Sequence, residues 1–132
     1  MKKAAFATGL AGALLAMAPV SVWAHHSHAM FDASKEVTVE GTVKSFVFAN
    51  PHVWLYLVTQ KDGKTGTYAV EMSFVGNMER QGMNQATFKP GDKVSVRVFP
   101  LRDGRPGGSY NGAIDGAGHK YGNMADTPPR AG

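Results

Sequence analysis

The stretch "HVWLYLVTQKDGKTGTYAVEM", His52–Met72, decides the fold. Val53, Leu55 and Leu57 alternate with His52, Trp54, Tyr56 and Val58, the period-two pattern of a strand with one buried face. "KDGK" is a hairpin signal, because Asp-Gly suits the positive φ angles of a two-residue type I′ turn. That turn pairs Lys61 with Lys64 and fixes the register outward from it. Leu57 then faces Tyr68, Leu55 faces Val70 and Val53 faces Met72, which is the core side. The opposite side pairs Trp54 with Glu71 and Tyr56 with Ala69. It leaves two aromatic rings beside a carboxylate on the outside.

Upstream, "KEVTVEGTVKSFVFAN" (Lys35–Asn50) alternates Val37, Val39, Gly41 and Val43 against Thr38, Glu40, Thr42 and Lys44. Phe46 and Phe48 then carry the bulk, so the parity flips, and a bulge near Lys44-Ser45 accounts for it. Asn50-Pro51-His52 reads as a turn. Downstream, Ser73 as cap, the apolar Phe74, Val75 and Met78, and Gly82 as terminator predict a helix of about two turns. After Pro90-Gly91, Val94, Val96 and Val98 alternate as another strand. "LRDGRPGGS" (Leu101–Ser109) turns back, and "YNGAIDGAGHKY" (Tyr110–Tyr121) reads as a glycine-rich, edge-like last strand. The order predicts a mainly β protein: a small five-stranded OB-like barrel with one short helix between strands 3 and 4. A β-sandwich competes, with few strands to build it.

The ends of the chain have a different character. Lys2 and Lys3, an apolar run from Ala4 to Ala18, Pro19 and a small-residue Val22-Trp23-Ala24 read as a signal peptide cleaved after Ala24. An uncleaved anchor is the competing reading. The uncharged stretch Ala4–Ala24 is barely long enough to span, and Gly9, Gly12 and Pro19 weaken it. The expected boundaries are therefore 1–24 signal peptide, 25–34 leader, 35–118 barrel and 119–132 disordered tail. The expected location is the periplasm or outside the cell, with no stable membrane span after cleavage.

The chain has no cysteine, which excludes disulfides, a lipid-modified cysteine anchor, haem attachment and thiolate metal sites. The formal charge of +4 falls to +2 once Lys2 and Lys3 are removed, and no basic run remains. That balance gives no electrostatic footprint for nucleic acid, so no nucleic-acid partner is expected.

Cleavage after Ala24 makes His25 the amino terminus, with an amine and an imidazole that chelate one metal together. His26 and His28 lie close by. Nitrogen ligands of this kind favour Cu(II) over Zn(II). The amino-terminal copper motif with His as third residue is absent, because Ser27 stands there. A ligand from the folded body would strengthen the site. His52 is the candidate, with Glu71 on the same face one strand over and within reach. The alternative is a solvated leader and a turn histidine bonded to backbone. His119 reads as solvated, and the methionines as core filler. Trp54 and Tyr56 either bind a small molecule or protein partner together with Glu71, or are covered by the leader through Met30 and Phe31. No nucleophile, base and orienting group is spaced as a catalytic set, and "DGRPGG" lacks the Lys-Ser/Thr of a phosphate loop.

"AHHSHAMFD", "VTVEGTVKSFVFANPHVWLYL", "KPGDKVSV" and "PLRDGRPGGS", in this order, resemble a bacterial family of small exported proteins of unknown function. Its members begin with a His-His-Ser leader and carry an Asn-Pro-His turn. The resemblance spans roughly His25 to Gly118 and implies export and a β-barrel, with no activity to carry over. It places His25, His26 and His52 on the motif histidines. The chain departs at His28, where the family has an apolar or aromatic residue, and at Met83, where it has tryptophan. Two functions are expected from this: a metal-binding module, or a metal-free binding or scaffold module using the Trp54/Tyr56 face.

Overall fold

The structure, a computed structural model, describes residues 28–124. Its elements are β1 (Val37–Val47), β2 (Trp54–Lys61), β3 (Lys64–Glu71), α1 (Val75–Arg80), β4 (Lys93–Pro100), β5 (Gly107–Asp115) and β6 (Lys120–Gly122). The sheet runs β3-β2-β1-β4-β5-β6, and a parallel pairing of β3 with β5 closes the first five strands into a barrel. With α1 between β3 and β4, this is the OB arrangement the strand order predicts.

The Asp62-Gly63 turn sets the register. Both residues have positive φ, 53° and 74°, and Lys61 pairs Lys64, Leu57 pairs Tyr68, Leu55 pairs Val70 and Trp54 pairs Glu71. Backbone bonds from Val53 N–H to Ser73 O (3.0 Å) and Met72 N–H to Val53 O (2.8 Å) extend the ladder beyond β3. The register of β1 against β2 shifts between Val43 and Ser45. The bulge lets β1 bend, so its first half pairs with β4 and its second half with β2. Inward side chains from these strands, together with Met72, Met78, Met83 and Phe88, form one buried cluster. Phe88 meets Phe46 edge-on at 5.2 Å between ring centroids.

Two expectations need correction. The helix is six residues long and its N-cap is Phe74, not Ser73. Its first amide, Val75 N–H, is instead satisfied by Asn50 Oδ1 at 2.9 Å, from the turn whose Asn50–Pro51 peptide is cis. Gly82, with φ of 88°, ends the helix as expected. The barrel also continues past residue 118. β6 pairs antiparallel with β5 through Gly112↔Gly122, Ala113↔Tyr121 and Ile114↔Lys120, and Met124 is buried. The loop between them is held by Asp115, whose side chain accepts from Ala117 N–H and His119 N–H at 2.9 Å each. Burial works to raise the Asp115 carboxyl, but these bonds outweigh it and hold it below its ordinary 3.8. The expected tail beyond Met124, and the expected signal peptide, lie outside the described residues.

β5 is an inner strand rather than an edge. It begins inside the expected turn, at Gly107, and lies against β4, β3 and β6. A Cβ on Gly108 would sit 2.8 Å from Phe99 O and 2.9 Å from Val98 Cβ, so only glycine lets the two backbones approach this closely.

The leader is laid on the barrel from His28 onward. Phe31 pairs with Leu101 in an isolated bridge and is 8% exposed. Asp32 N–H donates to Pro100 O (2.8 Å), Arg102 N–H to Met30 O (2.9 Å) and Arg102 Nε–H to Ala29 O (3.1 Å). Among the described residues no helix is long and apolar enough to cross a membrane.

Candidate functional site

His52 leaves the Asn-Pro-His turn two residues before Trp54, on the outward parity of β2. Glu71 ends β3 opposite Trp54, so the two side chains are diagonal neighbours on one face. They meet: His52 Nδ1 lies 2.6 Å from Glu71 Oε1. A carboxylate accepting at Nδ1 fixes the proton there and leaves Nε2 with its lone pair. The imidazole side chain is 42% exposed, against 17% for the carboxylate, so the free nitrogen belongs to the accessible partner.

This pair lines a cleft of about 370 Å³. His28 and Phe31 of the leader line the same cleft, and Met72 and Met78 of the core contribute to it. α1 adds Asn77 and Gln81, β5 adds Tyr110 and Asn111, and β6 adds Gly122. Tyr110 O–H donates to Gln81 Oε1 at 3.0 Å. Burial, with Tyr121 beside it, pushes the Tyr110 phenol far above its ordinary value, so it stays a neutral donor. Asn111 donates to Glu36 and accepts from Asn123, and Arg97 Nε holds Glu36 at 3.1 Å. The polar wall is thus fixed from behind.

Of the residues singled out in sequence, His28, His52 and Glu71 come together in this cleft. His25 and His26 lie outside the described residues. Trp54 and Tyr56 are not part of the cleft wall. They stack on each other on the outer side of β2, centroids 5.9 Å apart and planes 14° apart. Phe31 makes no ring contact with either among the described residues, and Met30 is 40% exposed, so the expected cover through these two residues is not formed. His119 bonds Asp115 Oδ2 at 3.0 Å with a 72% exposed side chain. Met72 and Met78, read as core filler, are buried but also line the cleft. Among the described residues no group of three or more His, Asp or Glu could hold a metal ion. A wider cleft of about 660 Å³, bordered by Glu40, Lys93 and Asp115, contains no histidine.

Sequence reasoning missed Asn77, Gln81, Tyr110 and Asn111. The available signal was the polar pair Asn77 and Gln81 at i, i+4 in a helix whose apolar residues point elsewhere.

The sequence model of a family described as "family of unknown function (DUF6152)" matches residues 13–110. No curated protein matches the chain. A solved structure titled as the crystal structure of mitochondrial single-stranded DNA binding proteins from S. cerevisiae, Rim1, is similar at 14% identity and a TM-score of 0.45. The similarity covers 64% of this chain and 97% of that one. This comparison overturns the expectation that nucleic acid is excluded as a partner. The structural neighbour is by title a single-stranded DNA binder, so the exclusion drawn from net charge is withdrawn.

Proposed function

The chain belongs to the DUF6152 family of unknown function, and from that premise we propose that it is a small exported protein binding a divalent metal, Cu(II) above Zn(II), in the His52 cleft. One observation carries the reading: His28 of the leader and the His52–Glu71 pair line a single cleft. The Glu71 bond turns His52 into an oriented ligand, with Nδ1 occupied and Nε2 free, the arrangement that accompanies metal-binding histidines. His25 precedes His28 by three residues, a span of about 10 Å at full extension, so the processed terminus can reach the same cleft. In this reading His25 supplies amine and imidazole, His52 supplies Nε2, and His26 or His28 completes a nitrogen-rich set. The His-His-Ser leader and the Asn-Pro-His turn act as two halves of one site. Cleavage after Ala24, and hence export, is part of the proposal, because the amine exists only after it.

The test is a Cu(II) titration, followed by EPR, of protein beginning at His25 and of the same protein with one residue added before it. The expected result is a large loss of affinity on extension and a further loss in His52→Ala. Equal, weak binding in both proteins sinks the proposal. A metal-free binding or scaffold role for the Trp54/Tyr56 face is the second reading. It is favoured by the parallel stack beside Val47, which pairs with Trp54 and is 45% exposed.

A further inference from the structure

The cleft is far larger than a metal ion needs, and its volume of about 370 Å³ falls within the range of small-molecule sites. Part of its wall consists of amides whose oxygens are already engaged. Asn77 Oδ1 accepts from Arg80 Nη2–H at 3.4 Å, and Gln81 Oε1 accepts from Tyr110 O–H at 3.0 Å. Each side chain therefore keeps an NH₂ group with two donors. The two residues are i, i+4 and share one side of the helical turn. Their orientation is held from behind: Arg80 lies over the Phe74 ring at 5.5 Å, and Tyr110 is buried. Glu71 is the acidic residue lining the cleft, and it is bonded to His52. The cleft thus offers paired N–H donors beside an imidazole with a free lone pair.

We infer that the cleft takes its metal together with a small chelating carboxylate of the α-hydroxy or α-amino acid class. One carboxylate oxygen coordinates the metal, and the other accepts from Asn77 and Gln81. This inference rests on the metal reading above. A carboxylate is the fitting group because it is acceptor-only, and bonds from N–H donors to it are the stronger, charge-assisted kind.

The experiment is equilibrium dialysis of glycolate against the protein beginning at His25, with and without one equivalent of Cu(II), after the Cu(II) affinity has been measured alone. Asn77→Asp and Gln81→Glu preserve shape and the acceptors used by Arg80 and Tyr110, but replace the NH₂ donors. Gln81→Met separates loss of donors from added charge. Glycolate is expected to bind the loaded protein, at least about tenfold more weakly in each of the three variants, as loss of a charge-assisted bond implies. Circular dichroism of each variant checks that the barrel is intact. Cu(II) binding with no glycolate uptake, or uptake unchanged in all three variants, overturns this inference alone. Absence of Cu(II) binding overturns it together with the metal reading.

Discussion

Replacing Phe31 with alanine separates a leader that is strapped on from one that is part of the core. Phe31 is 8% exposed. A phenylalanine buries about 150–250 Å², worth roughly 4–6 kcal/mol at about 25 cal/mol/Å². Allowing for a compact unfolded chain and for what alanine retains, about 3 kcal/mol is lost. The leader's three bonds, Asp32 to Pro100, Arg102 to Met30 and Arg102 to Ala29, add about 1 kcal/mol each. Against this total of about 6 kcal/mol stands the cost of ordering residues 28–32, about 1–2 kcal/mol per residue. Docking is therefore close to balance, and losing Phe31 tips it. Once the leader has detached, further loss cannot reach the barrel. The global stability of Phe31→Ala should fall by only about 1 kcal/mol in urea, while the Asp32 and Arg102 amides lose their protection from hydrogen exchange. A full loss of about 3 kcal/mol with Asp32 still protected would refute the strap and make Phe31 a core residue.

Three further outcomes follow from the same structure. Glu71→Gln should weaken Cu(II) binding by about 10–100-fold in competition titration, because the carboxylate no longer fixes the His52 ring; unchanged affinity removes Glu71 from the site. Gly108→Ala should cost about 1–3 kcal/mol in chemical denaturation, since its Cβ would meet Phe99 O and Val98 within 2.9 Å, whereas Gly66→Ala, with nothing within 4 Å, should show no such clash. The Tyr110 phenol is raised above its ordinary 10.0 on folding, so its contribution is complete below pH 10 and is lost as pH rises beyond it; Tyr110→Phe should flatten that alkaline slope in denaturation measured from pH 8 to 11.

Much of the barrel was legible because its determinants are local. The Asp62-Gly63 turn fixes eight cross-strand pairs at once, and the parity flip from Val43 to Phe46 is visible as a change in which residues carry bulk. The errors share a cause, which is sequence distance. The α1 cap comes from Asn50, 25 residues before the amide it satisfies, where Ser73 was the local choice. The last strands look weak because glycine carries no pattern. Gly112 is glycine because a Cβ there would lie 2.7 Å from Met124 N, a contact that exists only once β6 has returned. The site divides in the same way. His52 and Glu71 follow from the hairpin register, whereas Gln81 and Tyr110 are joined across 29 residues and two elements.

The leader completes this division. Its histidines gave no reason to expect Leu101 as the anchor, yet the Phe31–Leu101 bridge is what sets His28 beside His52. The arrangement also limits what the barrel can supply. His52 and Glu71 offer one free imidazole nitrogen and one engaged carboxylate, too few for a metal site by themselves. Any further ligand must arrive along the strap, from residues that precede His28. Under the proposed reading, metal affinity therefore depends on two events far apart in sequence, release of the new terminus at His25 and docking of Phe31. Because docking is near balance, the metal itself shifts it: each tenfold excess of metal over its dissociation constant adds about 1.4 kcal/mol to the docked state.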